Sequence, residues 1–449
     1  MAGRLFIAFV VTMLLAPSLR GQEISRRTNP ADPGQPFNTP GPVAHPVGAA
    51  QFATWRAEIK KALFISDPLP PLKARNFGEF SPAAGVIAER VTYGTNFGMR
   101  VPAIVYRPQH RSGRLPAMVV VNGHGGDKTT WYAFYTGILY ARAGAVVVTY
   151  DPVGEDERNG EKRSRTGAHD TVIAGPHTKE RMGGQMVTDV MEAVSYLGQR
   201  PDVDAKRIAV AGYSMGSFIA ALAGAVDPRI HALVLSGGGD LDGNDGYWDS
   251  GSKVMCQAGP YRALSFLPDK AAVIFALNQR RGPTFVINGT ADTVVDIPHH
   301  LEPFFADLRV RVEALTGTRA GIFDTYFVPG ASHRPNWVTR PAALWLQERV
   351  EFPGWTAETI RSLGETHVSE WAARNNVPLD KGSLQEEREG GVMALMTDVP
   401  NVDRGQLHAV PDQIWLADKD KFVWEAWARN ALAADGVCGA AAEACAGGW

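Results

Sequence analysis

The stretch RIAVAGYSMGSFIAALAG, residues 207–224, decides the fold. Its first residues form an apolar run typical of a buried strand, and the small, apolar residues after Gly216 favour a helix. Between them, Ser214 lies in a Gly-x-Ser-x-Gly pattern, which also arises by chance, so its meaning depends on context. A strand before and a helix after this pattern are the context in which a serine becomes an exposed nucleophile on a tight turn. The alternative is an ordinary serine at a strand-to-helix turn.

The surrounding sequence alternates short apolar strands with helices. An antiparallel pair is predicted at residues 85–95 and 99–108, followed by strands at 116–123, 145–151, 207–212, 231–237, 284–289 and 323–330. Helices are predicted at residues 52–64, 131–143, 184–198, 217–225, 299–315 and 341–350. Apolar strands separated by helices indicate an α/β fold with a mostly parallel sheet covered on both faces. Functional loops are expected at the carboxyl ends of such strands.

Two later strand ends carry an acid and a base. Asp292 follows the strand at 284–289, and His333 follows the last strand. A serine hydroxyl needs a base to take its proton and an acid to orient that base, here in the chain order serine, acid, histidine. We therefore predict a catalytic triad of Ser214, Asp292 and His333. Asp296 is the rival acid, although its position near the start of the next helix suits a capping role.

A glycine-rich loop, NGHGGD at residues 122–127, supplies candidate donors for an oxyanion. Glycines let the backbone approach a substrate carbonyl closely and direct an N–H group at it. We predict the backbone amides of Gly126 and of Met215, the residue after the nucleophile, as the two donors. His124 is interpreted as a support for the loop. The alternative is a plain glycine turn.

Five motifs together carry a family resemblance: GHGGD, YDPVGEDER, GYSMGS, NGTAD and PGASH. They resemble the α/β-hydrolase superfamily over residues 86–350, with the acetyl xylan esterase and dienelactone-hydrolase-like branches the most similar and the prolyl oligopeptidase catalytic domains also related. The resemblance implies an α/β-hydrolase fold, ester hydrolysis through an acyl-enzyme, and no cofactor. Asp156 departs from the motif, because a second glycine is expected there. The chain also continues past the helix that follows His333.

The sequence divides into four segments. Residues 1–21 contain Arg4 and then an apolar run of signal-peptide length, which predicts a secreted or periplasmic protein without stable membrane insertion; a membrane anchor is the alternative. Residues 22–50 are a Pro- and Gly-rich linker, 51–350 the catalytic domain, and 351–449 a C-terminal extension predicted to be helical.

The charged stretch 154–184 is interpreted as a solvated loop, with part of the cleft wall as the alternative.

Cysteine spacing and charge exclude several classes of site and partner. Cys438 and Cys445 could close a local disulfide in an oxidising compartment, which leaves Cys256 as a buried structural thiol. No metal-ligand spacing motif is evident, so no metal is predicted. Residues 237–246 resemble a calcium loop, but the glycine and glutamate of that loop are missing from their positions. A formal net charge of −2 argues against binding to nucleic acid.

The substrate is predicted from resemblance and export together. We expect a small-molecule or carbohydrate ester, with a short acyl group such as that of acetyl xylan. Trp131, Trp248 and Trp337 lie in or beside loops near the motifs and are candidate platforms for sugar rings. Two alternatives remain: a serine peptidase of the prolyl oligopeptidase type, disfavoured because the sequence shows no N-terminal repeated blades, and a non-catalytic binding protein on a hydrolase fold.

Overall fold

The computed structural model describes residues 28–29, 32–36, 46–110, 112–165, 167–241, 253–279, 282–317, 323–379 and 391–437. The predicted signal peptide, most of the linker, Trp248, Cys438 and Cys445 lie outside the described residues. Within the described part of the chain, no helix is both long enough and apolar enough to cross a bilayer.

A nine-stranded sheet forms the centre of the protein. Near the N-terminus, β1 (Thr28–Asn29) and β2 (Asp32–Pro36) form a separate antiparallel pair. The strands of the large sheet follow as β3 (Arg75–Ala83), β4 (Val86–Gly94), β5 (Arg100–Pro108), β6 (Leu115–Val121), β7 (Val146–Tyr150), β8 (Val203–Tyr213), β9 (Ala232–Ser236), β10 (Thr284–Gly289) and β11 (Phe323–Val328). Their order across the sheet is β11-β10-β9-β8-β6-β7-β5-β4-β3.

The direction of the strands agrees with the sequence prediction. The strands β7, β6, β8, β9, β10 and β11 run parallel to one another, and β3, β4 and β5 add an antiparallel edge beside β7. The pair β4 and β5 was predicted, whereas β3 was not. All strands that precede the predicted triad residues therefore end at one edge of the sheet.

Helices cover both faces of the sheet. They are α1 (Ala49–Ala62), α2 (Trp131–Arg142), α3 (Thr178–Gln199), α4 (Met215–Val226), α5 (Gly259–Arg262), α6 (Lys270–Gln279), α7 (Ile297–Thr316) and α8 (Arg340–Val350). Every residue of α4 is buried, because this helix packs between β8, β9, α3 and α6. Most helices that connect strands were predicted from the sequence. The exceptions lie between β9 and β10: α5, α6 and the π-helical turn Val254–Ala258 before them were not predicted.

The C-terminal extension is a mixed structure packed on the α/β core. It contains the helices α9 (Ala357–Ser362), α10 (Val368–Arg374), α11 (Asp412–Ala417) and α12 (Trp424–Ala434), and the strands β12 (Glu365–His367) and β13 (Met393–Leu395). The fully buried Trp371 lies 4.9 Å from the ring of Tyr135 and 5.9 Å from that of Trp131, both on α2. Tyr135 donates its hydroxyl to the carbonyl oxygens of Leu395 and Met396.

This packing makes Trp371 a test of how firmly the extension is attached. We expect Trp371→Ala to lower the free energy of unfolding by about 3–5 kcal/mol, because it leaves a cavity the size of an indole ring in the interface with α2. Leu416→Ala is the control: its side chain lies on α11 with 66% exposure, and a change within about 0.5 kcal/mol is expected. Urea unfolding of both variants measures the difference. Equal stability of both variants would contradict the packing described here.

Candidate active site

Ser214 lies on a strained turn between β8 and α4. Its backbone has φ 54° and ψ −120°, a left-handed conformation that a residue with a side chain adopts only at a cost. Any side chain on the flanking glycines would clash with the backbone. A Cβ on Gly212 would lie 2.2 Å from the carbonyl oxygen of Gly216, and a Cβ on Gly216 would lie 2.2 Å from the carbonyl oxygen of Val121. The Ser214 amide donates to the carbonyl of Ser236 on β9. The turn thus holds the serine above the sheet edge at the start of a buried helix.

His333 and Asp292 are joined by a hydrogen bond. The imidazole Nδ1 lies 2.8 Å from Asp292 Oδ2, and the Asp292 side chain is fully buried. The other carboxylate oxygen of Asp292 accepts from the amides of Val294 and Val295, so the acid is fixed on both sides. With Nδ1 engaged, Nε2 is the nitrogen that remains to accept a proton.

Tyr213 connects the histidine to the nucleophile turn. Its ring lies 4.9 Å from the ring of His333, and its hydroxyl donates to the His333 carbonyl oxygen at 3.0 Å. Because Tyr213 directly precedes Ser214, the histidine lies beside the serine turn. Asp296, the rival acid, is the N-cap residue of α7 but makes no side-chain capping bond, and its carboxylate pairs with the exposed His299 instead.

The oxyanion loop differs from the prediction at one donor. The Gly126 amide donates to the carbonyl of Gly123 at 3.1 Å, so it closes a turn and is not available to a substrate. The Gly123 amide bonds to the Tyr132 hydroxyl, and the Gly125 backbone lowers the pKa of Glu155, which burial raises. No partner of the His124 amide occurs among the described residues. Met215 is the first residue of α4, so no helical carbonyl lies one turn earlier to accept a hydrogen bond from its amide.

A cavity of about 580 Å³ opens beside this loop. Tyr213 and Arg334, the neighbours of two predicted triad residues, lie on its wall. The wall also includes the oxyanion loop with Trp131, the segment with Ser164 and Arg165, and residues 377–379 and 401–404 of the C-terminal extension. The extension therefore forms one side of the cavity, a role that the sequence did not suggest.

The three candidate tryptophans have different positions. Trp131 is half-buried and lines the cavity. Trp337 is fully buried, and its Nε1 donates to the Thr136 hydroxyl, so the predicted contact of Trp337 with substrate is wrong. Its apolar neighbours, the rings of Tyr132 and Tyr213, explain why it packs below the site instead. Trp248 lies outside the described residues.

The motif residue Asp156 belongs to a buried charge cluster. Lys128 Nζ lies 2.6 Å from Asp151, 2.7 Å from Asp156 and 2.8 Å from Glu157, and all four side chains have no exposure. Burial alone would lower the pKa of Lys128, but the three carboxylates raise it well above its usual value. Residues 155–158 are thus buried, and the prediction of a solvated loop is wrong there.

The same cluster anchors the C-terminal extension. Arg404 pairs with Asp156, and the Glu157 carboxylate accepts from the amides of Ala409 and Val410. Asp156 has φ 41°, the left-handed conformation that the expected glycine would adopt. Asp156 thus holds a backbone conformation that favours glycine, and its carboxylate supplies a contact that glycine could not make.

Comparison with known proteins finds two family matches. Residues 67–236 match the family described as Acetyl xylan esterase (AXE1), and residues 174–357 match the Prolyl oligopeptidase family. In solved structures, Methylesterase BT1017 superposes with a TM-score of 0.59 at 18% identity, covering 86% of this chain and 75% of its own. The chain thus has the α/β-hydrolase fold, and residues 67–236 are similar to acetyl xylan esterases.

Curated relatives match smaller parts of the chain. Uncharacterized protein PA2218 of Pseudomonas aeruginosa is 30% identical over 158 residues, which are 35% of this chain and 38% of that protein. Thiohydrolase apmlB of Arthrinium phaeospermum is 25% identical over 148 residues, 33% of this chain and 42% of that protein. The matches thus span about two fifths of each relative.

Proposed function

We propose that this α/β-hydrolase is a serine esterase that cleaves a carboxylic ester through an acyl-enzyme. The observation that carries the proposal is the Asp292–His333 hydrogen bond beside the strained Ser214 turn. Ser214 Oγ attacks the ester carbonyl while His333 Nε2 takes the hydroxyl proton, and the imidazolium formed is stabilised by the Asp292 carboxylate. The same proton then passes to the leaving alcohol, and water hydrolyses the acyl-enzyme by the reverse sequence.

The amides of Met215 and His124 are proposed as the oxyanion donors. Both belong to segments next to Ser214, and the amides of Gly123 and Gly126 already have partners within the protein. Donors fixed by the backbone stabilise the developing negative charge without reorganising during the reaction. His124 replaces Gly126 in this assignment.

A carbohydrate ester with a short acyl group is the proposed substrate. The cavity beside the site carries the half-buried ring of Trp131, together with the guanidinium groups of Arg165 and Arg334. An aromatic face and fixed polar donors on one wall suit the apolar face and the hydroxyl or carboxylate groups of a sugar. Export through the N-terminal segment, residues 1–21, remains part of the proposal, since a polysaccharide substrate is extracellular.

A substrate panel tests this proposal. We expect kcat/KM for 4-nitrophenyl acetate or acetylated xylan to exceed that for a dipeptidyl 4-nitroanilide by about 100-fold or more. The reason is that nothing in the proposed site favours an amine leaving group over an alcohol. Methyl uronates and feruloyl esters in the same panel define the acyl group and the alcohol. Comparable rates on the anilide would instead support a prolyl oligopeptidase-type peptidase, the candidate that the match of residues 174–357 favours.

A further inference from the structure

Behind the oxyanion loop, four side chains with metal-binding atoms converge. They are His124, His169, Asp170 and Cys256, and one ligand atom from each lies within 4.8 Å of all the others. A second cavity, of about 370 Å³, opens beside this cluster. The four residues come from three separate segments: the loop after β6, the 3₁₀ turn Ala168–Asp170, and the π-helical turn Val254–Ala258.

The distances in the cluster are those of a small coordination sphere. Cys256 Sγ lies 3.0 Å from Asp170 Oδ1 and 3.2 Å from His124 Nε2, and His124 Nε2 lies 3.4 Å from Asp170 Oδ1. Bonds of about 2.0–2.3 Å in a tetrahedron separate the ligand atoms by about 3.3–3.8 Å. The ligand atoms of His124, Asp170 and Cys256 are therefore spaced at or slightly below these separations, and the ligand atom of His169 lies within 4.8 Å of each of them.

His169 supplies an independent indication that a ligand is expected here. Its side chain is fully buried, its Nδ1 lies 3.1 Å from the Val153 carbonyl oxygen, and its Nε2 has no hydrogen-bond partner. A buried polar atom without a partner costs free energy, so such atoms are rare in native proteins. An imidazole whose Nδ1–H donates to a backbone carbonyl presents Nε2 as a lone pair, which is the arrangement found in metal-bound histidines.

A network of hydrogen bonds alone explains the cluster less well. Cys256 and His124 can both donate to Asp170 in such a network, but His169 Nε2 then stays without a partner. The buried acidic group Asp151, Asp156 and Glu157 differs, because Lys128 Nζ already lies within 2.8 Å of all three carboxylates. In the histidine cluster, Lys253 Nζ holds only the outer oxygen of Asp170, at 2.8 Å, and so turns Oδ1 toward the other three ligands.

We propose that His124, His169, Asp170 and Cys256 form a structural Zn²⁺ site. Two imidazoles, one thiolate and one carboxylate suit zinc, whereas Mg²⁺ and Ca²⁺ prefer oxygen ligands throughout. Binding releases the Cys256 thiol proton to solvent, and the thiolate and the carboxylate together balance the charge of the ion. The ion joins the oxyanion loop, through the His124 side chain, to two segments that are distant in sequence.

Metal titration of the full chain tests the site without reference to turnover. After treatment with a chelator, we expect the protein to bind one equivalent of Zn²⁺ by calorimetry, with a rise in Tm. Co²⁺ should give the intense visible bands of a tetrahedral site together with a thiolate charge-transfer band in the near ultraviolet. Cys256→Ser should remove the charge-transfer band, and both Cys256→Ser and His169→Ala should weaken Zn²⁺ binding by about 100-fold.

The double variant Cys438→Ser, Cys445→Ser is the control, because it removes the other two thiols of the chain. It should keep one equivalent of Zn²⁺ and the full Co²⁺ spectrum. The proposal is overturned if the folded wild-type chain binds no Zn²⁺ stoichiometrically, or if the charge-transfer band disappears in this control and survives in Cys256→Ser. Should a single-site variant not fold, the Co²⁺ spectra of the wild type and of this control still decide the question.

Discussion

Ser214→Ala is expected to lower kcat/KM for 4-nitrophenyl acetate by about 10⁴–10⁶-fold while leaving Tm within a few degrees of the wild type. The reason is that the variant lacks the attacking oxygen, so His333 has no proton to take and only the oxyanion donors and the cavity remain. The substitution is not expected to relieve backbone strain, because alanine at φ 54° is as strained as serine. Steady-state kinetics with a thermal melt of the same sample provide the measurement.

A pair of aspartate variants is the matched control for this prediction. Asp292→Asn should lower kcat/KM by about 10⁴-fold, because the amide no longer stabilises the imidazolium or fixes the tautomer of the imidazole. Asp296→Asn, four residues later on the same loop, removes a partner of the exposed His299 and should leave turnover within about twofold of the wild type. Equal losses in the two variants would contradict the assignment of the acid.

Lys128→Met is expected to lower the free energy of unfolding by about 3–5 kcal/mol, because it leaves three buried carboxylates without their shared cation. Glu157 and Asp156 also hold the C-terminal extension, so residues 401–410 should become more accessible to proteases in this variant. Denaturant unfolding combined with limited proteolysis measures both effects.

Lys60→Met is the control for the buried lysine. Lys60 pairs with Asp67, whose side chain is 72% exposed, so its loss should cost no more than about 1 kcal/mol. If Lys128→Met and Lys60→Met are equally stable, the cluster does not act as a buried ion network.

The sequence was sufficient to predict the positions of those candidate site residues that directly follow a strand. Ser214, Asp292 and His333 each lie just past the carboxyl end of a strand whose apolar run was evident, and parallel strands bring such positions to one edge. Local spacing was also sufficient for the helices between strands, apart from α5 and α6 between β9 and β10. The edge strand β3 was missed because only some of its residues face the core: its burial changes irregularly, with two register shifts against β4.

Features that depend on distant contacts could not be predicted in this way. The charged residues 155–158 were expected in solvent, because charge is seldom buried. Their partners inside the protein are Lys128, Asp189 and the C-terminal extension, all distant in sequence. Gly126 was chosen as a donor because glycine permits close approach, yet its amide closes a turn. The histidine cluster has no spacing motif, since residues 124, 169 and 256 meet only in the folded chain.

Covalent labelling of the full chain with a fluorophosphonate probe tests the central claim most directly. The probe phosphonylates a serine only when a neighbouring base activates it, and peptide mapping by mass spectrometry locates the modified residue. We predict one equivalent of label on the peptide that contains Ser214, and none in Ser214→Ala. A folded wild-type chain that stays unlabelled, or a label on another serine, would contradict the assignment of Ser214 as the nucleophile.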